Sequence, residues 1–135
     1  MKFKVLFVCT HNSCRSQIAE GLMNALLGDK YEAASAGTEP SKVNENAAAA
    51  LKEIGIDISG HRSKNIDEFK PSDFDFVVTV CDSAKQACPY IAGAKKMIHK
   101  SFIDPSNTLG TSEEIAAGFR KTRDEIRAWL IEYFK

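Results

Sequence analysis

The chain has 135 residues, 44% of them hydrophobic and 27% charged, a composition that fits one globular domain with a substantial core and gives no sign of a disordered segment. Eighteen Lys and Arg balance eighteen Asp and Glu, which leaves no electrostatic case for nucleic acid or an anionic membrane surface, so any anionic ligand must be held locally. Met1-Lys2-Phe3-Lys4 runs straight into an apolar strand, with no secretory h-region and no apolar stretch approaching the ~18 residues of a membrane span, and the expected location is cytoplasmic.

Phe3, Val5, Leu6, Phe7 and Val8 form a continuous apolar run, as a strand buried on both faces requires. Ile18, Ala19, Leu22, Met23, Leu26 and Leu27 recur at helical spacing and predict a helix that stops at Gly28. Between them lies Cys9-Thr10-His11-Asn12-Ser13-Cys14-Arg15-Ser16. A cysteine that closes a strand and faces a helix N-terminus is placed as a nucleophile toward a bound oxyanion. The N–H groups of residues 10–16 and the helix dipole supply donors for a tetrahedral anion. Arg15 adds a planar, permanently charged fork. The same field favours the Cys9 thiolate, the reactive form, and Ser16, one turn into the helix, can donate a hydrogen bond to the sulfur. A free cysteine at a strand end is more often a small buried hydrophobe. The order strand, anion loop, helix favours the nucleophile here, with Thr10, His11, Asn12, Ser13, Cys14, Arg15 and Ser16 as the substrate-binding loop.

A second strand is expected over Tyr31 to Ala36, then a polar loop through Pro40. Asn44 is placed to cap a helix over Glu45 to Ile54, and Gly55 stands where a left-handed terminating residue is wanted. A short helical piece around Ile66 to Phe69 ends before Pro71, and Phe74, Phe76, Val77, Val78 and Val80 read as another buried strand. Lys95 to His99 is a short strand, followed by a long loop that carries Asp104-Pro105 and Gly110. Thr111 and Glu114 fit a capping box for a closing helix whose apolar face is Ile115, Phe119, Ile126, Leu130 and Phe134, with Trp129 completing the packing. Alternating strands and helices predict a single α/β domain spanning 1–135. Its four-stranded parallel sheet has helices on both faces, right-handed crossovers and the oxyanion loop after the first strand. Ligands of such sheets bind beyond the carboxyl ends of the strands, where Cys9, Ser35, Cys81 and Asp104 all fall.

Four cysteines in a reducing compartment are not expected to form structural disulfides. No Cys-x2-Cys pairs occur and the histidines lack ligand-like spacing to the cysteines, so no metal is expected. Cys81 and Cys88 are separated by a polar segment, and one or two helical turns would bring their sulfurs together, an arrangement suited to reversible oxidation. Spacing alone favours two unrelated half-buried cysteines; the proximity of Cys9 shifts the balance toward a redox pair. Asp104, preceding Pro105, is confined to an extended or turn conformation. It could protonate a departing oxygen, although an Asp-Pro pair by itself is commonly a turn initiator.

The Cys9 to Ser16 loop, Ser35-Ala36-Gly37, Gly55-Ile56-Asp57-Ile58-Ser59, Val78-Thr79-Val80-Cys81, Cys88-Pro89 and Asp104-Pro105 together resemble the low-molecular-weight tyrosine phosphatase superfamily. The likeness is greatest to its thioredoxin-coupled arsenate reductase branch, whose last helix resembles Phe119 to Ile126 here. The Cys81 and Cys88 pair favours reductase over phosphatase, because the phosphatases need only the loop, its arginine and the aspartate. What the resemblance implies is a relay. Cys9 attacks arsenic held by the loop and Arg15, Asp104 protonates the leaving hydroxyl, and Cys81 attacks Cys9 to give a Cys9-Cys81 disulfide and arsenite. Cys88 then moves the bond to Cys81-Cys88, which thioredoxin reduces. The substrate is arsenate, or phosphate as its analogue, with some phosphatase activity remaining; no cofactor is needed and a monomer is expected. Asn12 would hold the loop's tight backbone, and Cys14 is structural. His11 stands where the family often has a small residue. Some reductases hold potassium behind the loop with groups from the segment matching His61 to Asn65; Arg62 and Lys64 put two cations there instead. The alternative reading is a tyrosine phosphatase whose Cys81 and Cys88 protect Cys9 from further oxidation.

Overall fold

The structure is a computed structural model that describes residues 2–81 and 91–134. Seven apolar and polar residues, Phe3–Cys9, form β1 at the centre of the sheet. It pairs in parallel with β2 (Tyr31–Gly37), in a register running from Phe3 opposite Tyr31 to Cys9 opposite Gly37. On its other side it pairs with β3 (Phe76–Thr79), Val5 opposite Phe76 and Val8 opposite Thr79, and β4 (Met97–His99) completes the sheet beside β3. The order is β2-β1-β3-β4 with every pairing parallel, the four-stranded sheet that the alternation of elements predicts.

Because side chains of a strand point alternately to opposite faces, β1 feeds two cores. Val5, Phe7 and Cys9 join Ile18, Leu22 and Met23 of α1 (Arg15–Leu26), Ala47, Ala50 and Leu51 of α2 (Glu45–Lys52), and Phe119, Ile126 and Leu130 of α3 (Ser112–Tyr133). Leu6 and Val8 join Ala36, Val77, Phe74 and Ile91 in the second cluster. Helical cover is thus of two kinds. Among the described residues, the three α-helices share the first core, and the second is covered by short 3-10 turns at Ile66–Glu68 and Pro71–Asp73, which bring Ile66, Phe69 and Phe74 onto it.

Local signals account for most element ends. Asn44 Oδ1 accepts from the N–H groups of Asn46 (2.8 Å) and Ala47 (3.3 Å). At the other end of α2, Ile56 N–H donates to the Leu51 carbonyl and Gly55 N–H to the Lys52 carbonyl, with Gly55 at φ 82, a Schellman ending. The Thr111 and Glu114 box is present in both directions. Several boundaries differ from expectation: β2 runs one residue further, to Gly37, α2 ends at Lys52 and not Ile54, β3 ends at Thr79 before Val80, and β4 begins at Met97 and not Lys95. α1 starts at Arg15, three residues before the apolar periodicity begins, because the loop turns directly into the helix with Cys14 at the cap position and no side-chain cap to mark it. Phe74 lies before β3 and not in it: its ring meets Phe69 edge-on at 5.8 Å. Phe134 closes the bottom of the first core, with ring centroids 5.3 Å from Tyr31, 5.6 Å from Phe76 and 5.8 Å from Trp129. Among the described residues no helix is long and apolar enough to cross a membrane.

Candidate active site

β1 and β2 end side by side, and the close fit of the anion loop against β2 requires a glycine at the end of β2. A Cβ on Gly37 would stand 2.5 Å from the Thr10 carbonyl oxygen and 2.8 Å from the Asn12 nitrogen. The loop then turns through Asn12, the one described non-glycine residue with positive φ (49). α1 begins at Arg15 with no side-chain cap, so its first-turn N–H groups point out of the helix into the loop.

A cleft of about 80 Å³ opens over this loop, lined by Cys9, His11, Ser13, Cys14, Arg15, Ser41, Asp104 and Ser106. Cys9, Cys14 and Arg15 are buried and form its floor, whereas His11, Ser41 and Ser106 are exposed and form its mouth. Cys9 Sγ lies 2.8 Å from Ser16 Oγ. Asn12 Nδ2 donates to the same Oγ at 2.8 Å, which occupies it as an acceptor and leaves the hydroxyl hydrogen for the sulfur. Arg15 Nη1 donates to the Phe102 carbonyl at 3.2 Å, and Nη2 stands 3.5 Å from Asp104 Oδ2. Asp104 has the extended backbone expected before proline; its Oδ1 accepts from both the N–H (2.9 Å) and the hydroxyl (2.7 Å) of Ser106, which leaves Oδ2 on the arginine side. Burial pushes the Cys14 thiol up to about 12, opposed by its contact with Ser13 and reinforced by the Asp104 and Cys9 charges, so Cys14 is a neutral thiol at pH 7.

Loop side chains that do not line the cleft are engaged behind it. Asn12 is fully buried; its Oδ1 accepts from the Lys64 N–H (2.9 Å) and from Gln17 Nε2 (3.0 Å). Gln17 Nε2 also donates to the Asn12 and Arg62 carbonyls, and Gln17 Oε1 accepts from His61 Nδ1 at 2.9 Å. Glu20 sits beneath, accepting from the Ser35 hydroxyl at 2.5 Å, with His61 Nε2 at 3.4 Å and Lys64 Nζ at 3.8 Å. An ammonium group therefore already stands beside this carboxylate, so the donor set does not suit an additional monovalent cation there. Among the described residues no three His, Cys, Asp or Glu side chains cluster as a metal site.

Cys9, Arg15, Asp104 and the loop thus converge as sequence order and strand ends suggest. Thr10 contributes its backbone, accepting from the Glu39 N–H at 2.8 Å. Cys81 follows β3, is fully buried and is disulfide-bonded, whereas Cys9 and Cys14 are free thiols. Cys88 lies outside the described residues. The resemblance places the His61 to Asn65 segment and the Lys64 cation behind the loop, and both His61 and Lys64 stand there beside Glu20, whereas Ser41, Ser106, Gln17 and Glu20 were not foreseen in these positions. A signal for part of this set does exist in the sequence: Gln17, Glu20 and Asn24 recur at helical spacing as a polar stripe on a helix whose residues 15–23 are all buried.

The model of the low molecular weight phosphotyrosine protein phosphatase family matches residues 4–135. Among curated relatives, an arsenate reductase of Halalkalibacterium halodurans is 48% identical over 122 residues, covering 90% of this chain and 88% of that protein. A solved arsenate reductase in its phosphate-binding state superposes with a TM-score of 0.82 at 36% identity, covering 98% of this chain and 96% of the other. A thioredoxin-dependent arsenate reductase of Corynebacterium glutamicum superposes with a TM-score of 0.66 at 25% identity, covering 97% of this chain and 61% of that one.

Proposed function

Since this chain belongs to the low molecular weight phosphotyrosine protein phosphatase family, we propose that it is an arsenate reductase that works by a three-cysteine relay, with thioredoxin as reductant. The arsenate enters with its oxygens toward the loop N–H groups and the Arg15 guanidinium, and the Cys9 thiolate, supported by the Ser16 hydroxyl, attacks arsenic. Asp104 carries the proton on Oδ2 and gives it to the departing oxygen, which leaves as water; Ser106 holds the other carboxylate oxygen and so fixes the direction of Oδ2. Cys81 then attacks the Cys9 sulfur. The sulfur–arsenic bond breaks with its electron pair going to arsenic, which departs as arsenite, and the two sulfurs are left as a disulfide. Attack of Cys88 on Cys81 frees Cys9 and moves the disulfide to Cys81-Cys88, which a thioredoxin dithiol reduces.

The observation that carries this reading is the pairing of two chemistries at adjacent strand ends. A free Cys9 thiol lies under an arginine and an aspartate at the end of β1, and a disulfide-bonded Cys81 follows neighbouring β3. That distribution of oxidation matches the relay's last stage, when Cys9 has been regenerated. A phosphatase needs the first half only. The test is arsenite production by the purified protein with thioredoxin, thioredoxin reductase and NADPH. Cys88→Ser should release one equivalent of arsenite and then stop with Cys9 held in the Cys9-Cys81 disulfide, while the reduced variant kept from arsenate still hydrolyses an aryl phosphate; multiple turnover of that variant with thioredoxin as sole reductant refutes the relay.

A further inference from the structure

The imidazole of His11 has no part in the chemistry above, yet it stands in the cleft wall. Its Nδ1 lies 2.9 Å from the Glu39 carbonyl oxygen. A carbonyl only accepts, so Nδ1 carries the hydrogen and the ring is tethered to Glu39 as a donor. The backbone on either side of this tether is stitched to the loop. Glu39 N–H donates to the Thr10 carbonyl (2.8 Å), Ser41 N–H to the His11 carbonyl (3.2 Å) and to Ser63 Oγ (3.0 Å), and Asn44 N–H to the Ser13 carbonyl (3.1 Å). The Ser63 hydroxyl in turn donates to the His11 carbonyl at 2.8 Å. Residues 39–44 therefore run as a strap along the loop, and Ser41, in that strap, shares the mouth of the cleft with His11 and Ser106.

A free tetrahedral oxyanion and an aryl phosphate ester present the same charged oxygens to the floor of Cys9, Cys14 and Arg15. They differ in what must pass through the mouth. We infer that His11 is a specificity-determining residue: by tethering the Glu39–Ser41 strap at the mouth, it favours free inorganic oxyanions over aryl phosphate esters. The inference rests on the oxyanion chemistry proposed above and adds the selectivity that the floor cannot supply.

The test compares wild type with His11→Gly, which loses the tether, and His11→Asn, whose side-chain amide can take the place of Nδ1 on the Glu39 carbonyl. The quantity read is kcat/KM for p-nitrophenyl phosphate divided by kcat/KM for arsenate reduction. His11→Gly should raise this ratio about tenfold or more, within the range that pocket shape alone delivers, and His11→Asn should hold it to within a factor of about three of wild type. An unchanged ratio in His11→Gly overturns the inference, as does an Asn variant that is as permissive as the Gly variant. Calorimetric binding of inorganic phosphate against phenyl phosphate gives the same comparison without turnover. A wild-type protein that makes no arsenite thus refutes the proposed function, while the binding ratio still decides the role of His11.

Discussion

Gly37→Ala tests whether the anion loop owes its shape to the strand beside it. The added Cβ would stand 2.5 Å from the Thr10 carbonyl oxygen, 2.8 Å from the Asn12 nitrogen and 3.0 Å from the His11 carbonyl carbon. Ordinary contact begins near 3.4 Å, so the loop backbone must retreat by about 0.9 Å at Thr10, and it cannot do so by a side-chain rotation because all three atoms are main chain. Overpacking of this kind costs about 1–3 kcal/mol. The effect on catalysis is larger, because Thr10, Asn12 and His11 belong to the loop that aims the N–H groups at the anion, and a displacement near 1 Å costs about a hundredfold in rate. We expect a folded variant whose urea midpoint falls modestly and whose kcat/KM for arsenate falls about a hundredfold, with phosphate binding weakened in parallel. A folded Gly37→Ala protein with wild-type phosphate affinity and turnover would refute the argument that the end of β2 sets the loop.

Three further outcomes are expected. Cys14 holds its proton more tightly in the folded state, up to about 12 against an ordinary value of 9.0, so its contribution to stability is complete below about pH 9 and fades as pH climbs toward 12. At ~1.36 kcal/mol per unit this reaches at most about 4 kcal/mol, and Cys14→Ala should flatten the alkaline limb of a pH series of urea unfolding under reducing conditions. Phe134→Ala, which empties the meeting point of Tyr31, Phe76 and Trp129, should cost about 3–5 kcal/mol in the same assay and leave the fold's site chemistry intact. Glu20→Gln leaves the Lys64 ammonium, whose side chain is only 13% exposed, without its carboxylate and should cost about 3 kcal/mol. Adding Lys64→Met should recover part of that loss, a coupling that a double-mutant cycle measures.

What could be read in advance follows the range of the interaction concerned. The β1 run, the spacing of Ile18, Leu22 and Met23, the Asn44 cap and the Thr111 box are local patterns, and each appears where expected. The convergence of Cys9, Arg15 and Asp104 was legible at one remove, from the rule that parallel strands collect ligands at their carboxyl ends. The support behind the loop was not, because its partners are set by the tertiary fold: Gln17 meets His61 across 44 positions and Asn12 meets Lys64 across 52. Ser106 is a different case. It follows Asp104-Pro105 directly, and a residue two after an aspartate is the ordinary partner of that side chain in a turn, so its grip on Oδ1 was available from the local sequence.

The loop's eight residues face two ways, and this explains how one frame can serve two reactions. Cys9, Cys14 and Arg15 line the cleft, while Asn12 and Ser16 are turned inward to hold the loop and the sulfur. None of these contacts distinguishes arsenic from phosphorus, since both present a tetrahedron of oxygens of like charge. The fate of the covalent adduct is decided by the second nucleophile. Water attacking the central atom returns the oxyanion unchanged in oxidation state, which suits phosphorus, whose lower state is out of reach of a thiol. A thiol attacking the Cys9 sulfur instead leaves the bonding pair on the central atom, which arsenic accepts. In the proposed relay the reaction is therefore set not in the cleft but by whether Cys81, buried just after neighbouring β3, can be brought to Cys9. Under the relay and the mouth selectivity proposed for this chain, His11 and a thiol within the core act in one direction: the first disfavours ester phosphates, and the second gives arsenate a way forward that phosphate lacks.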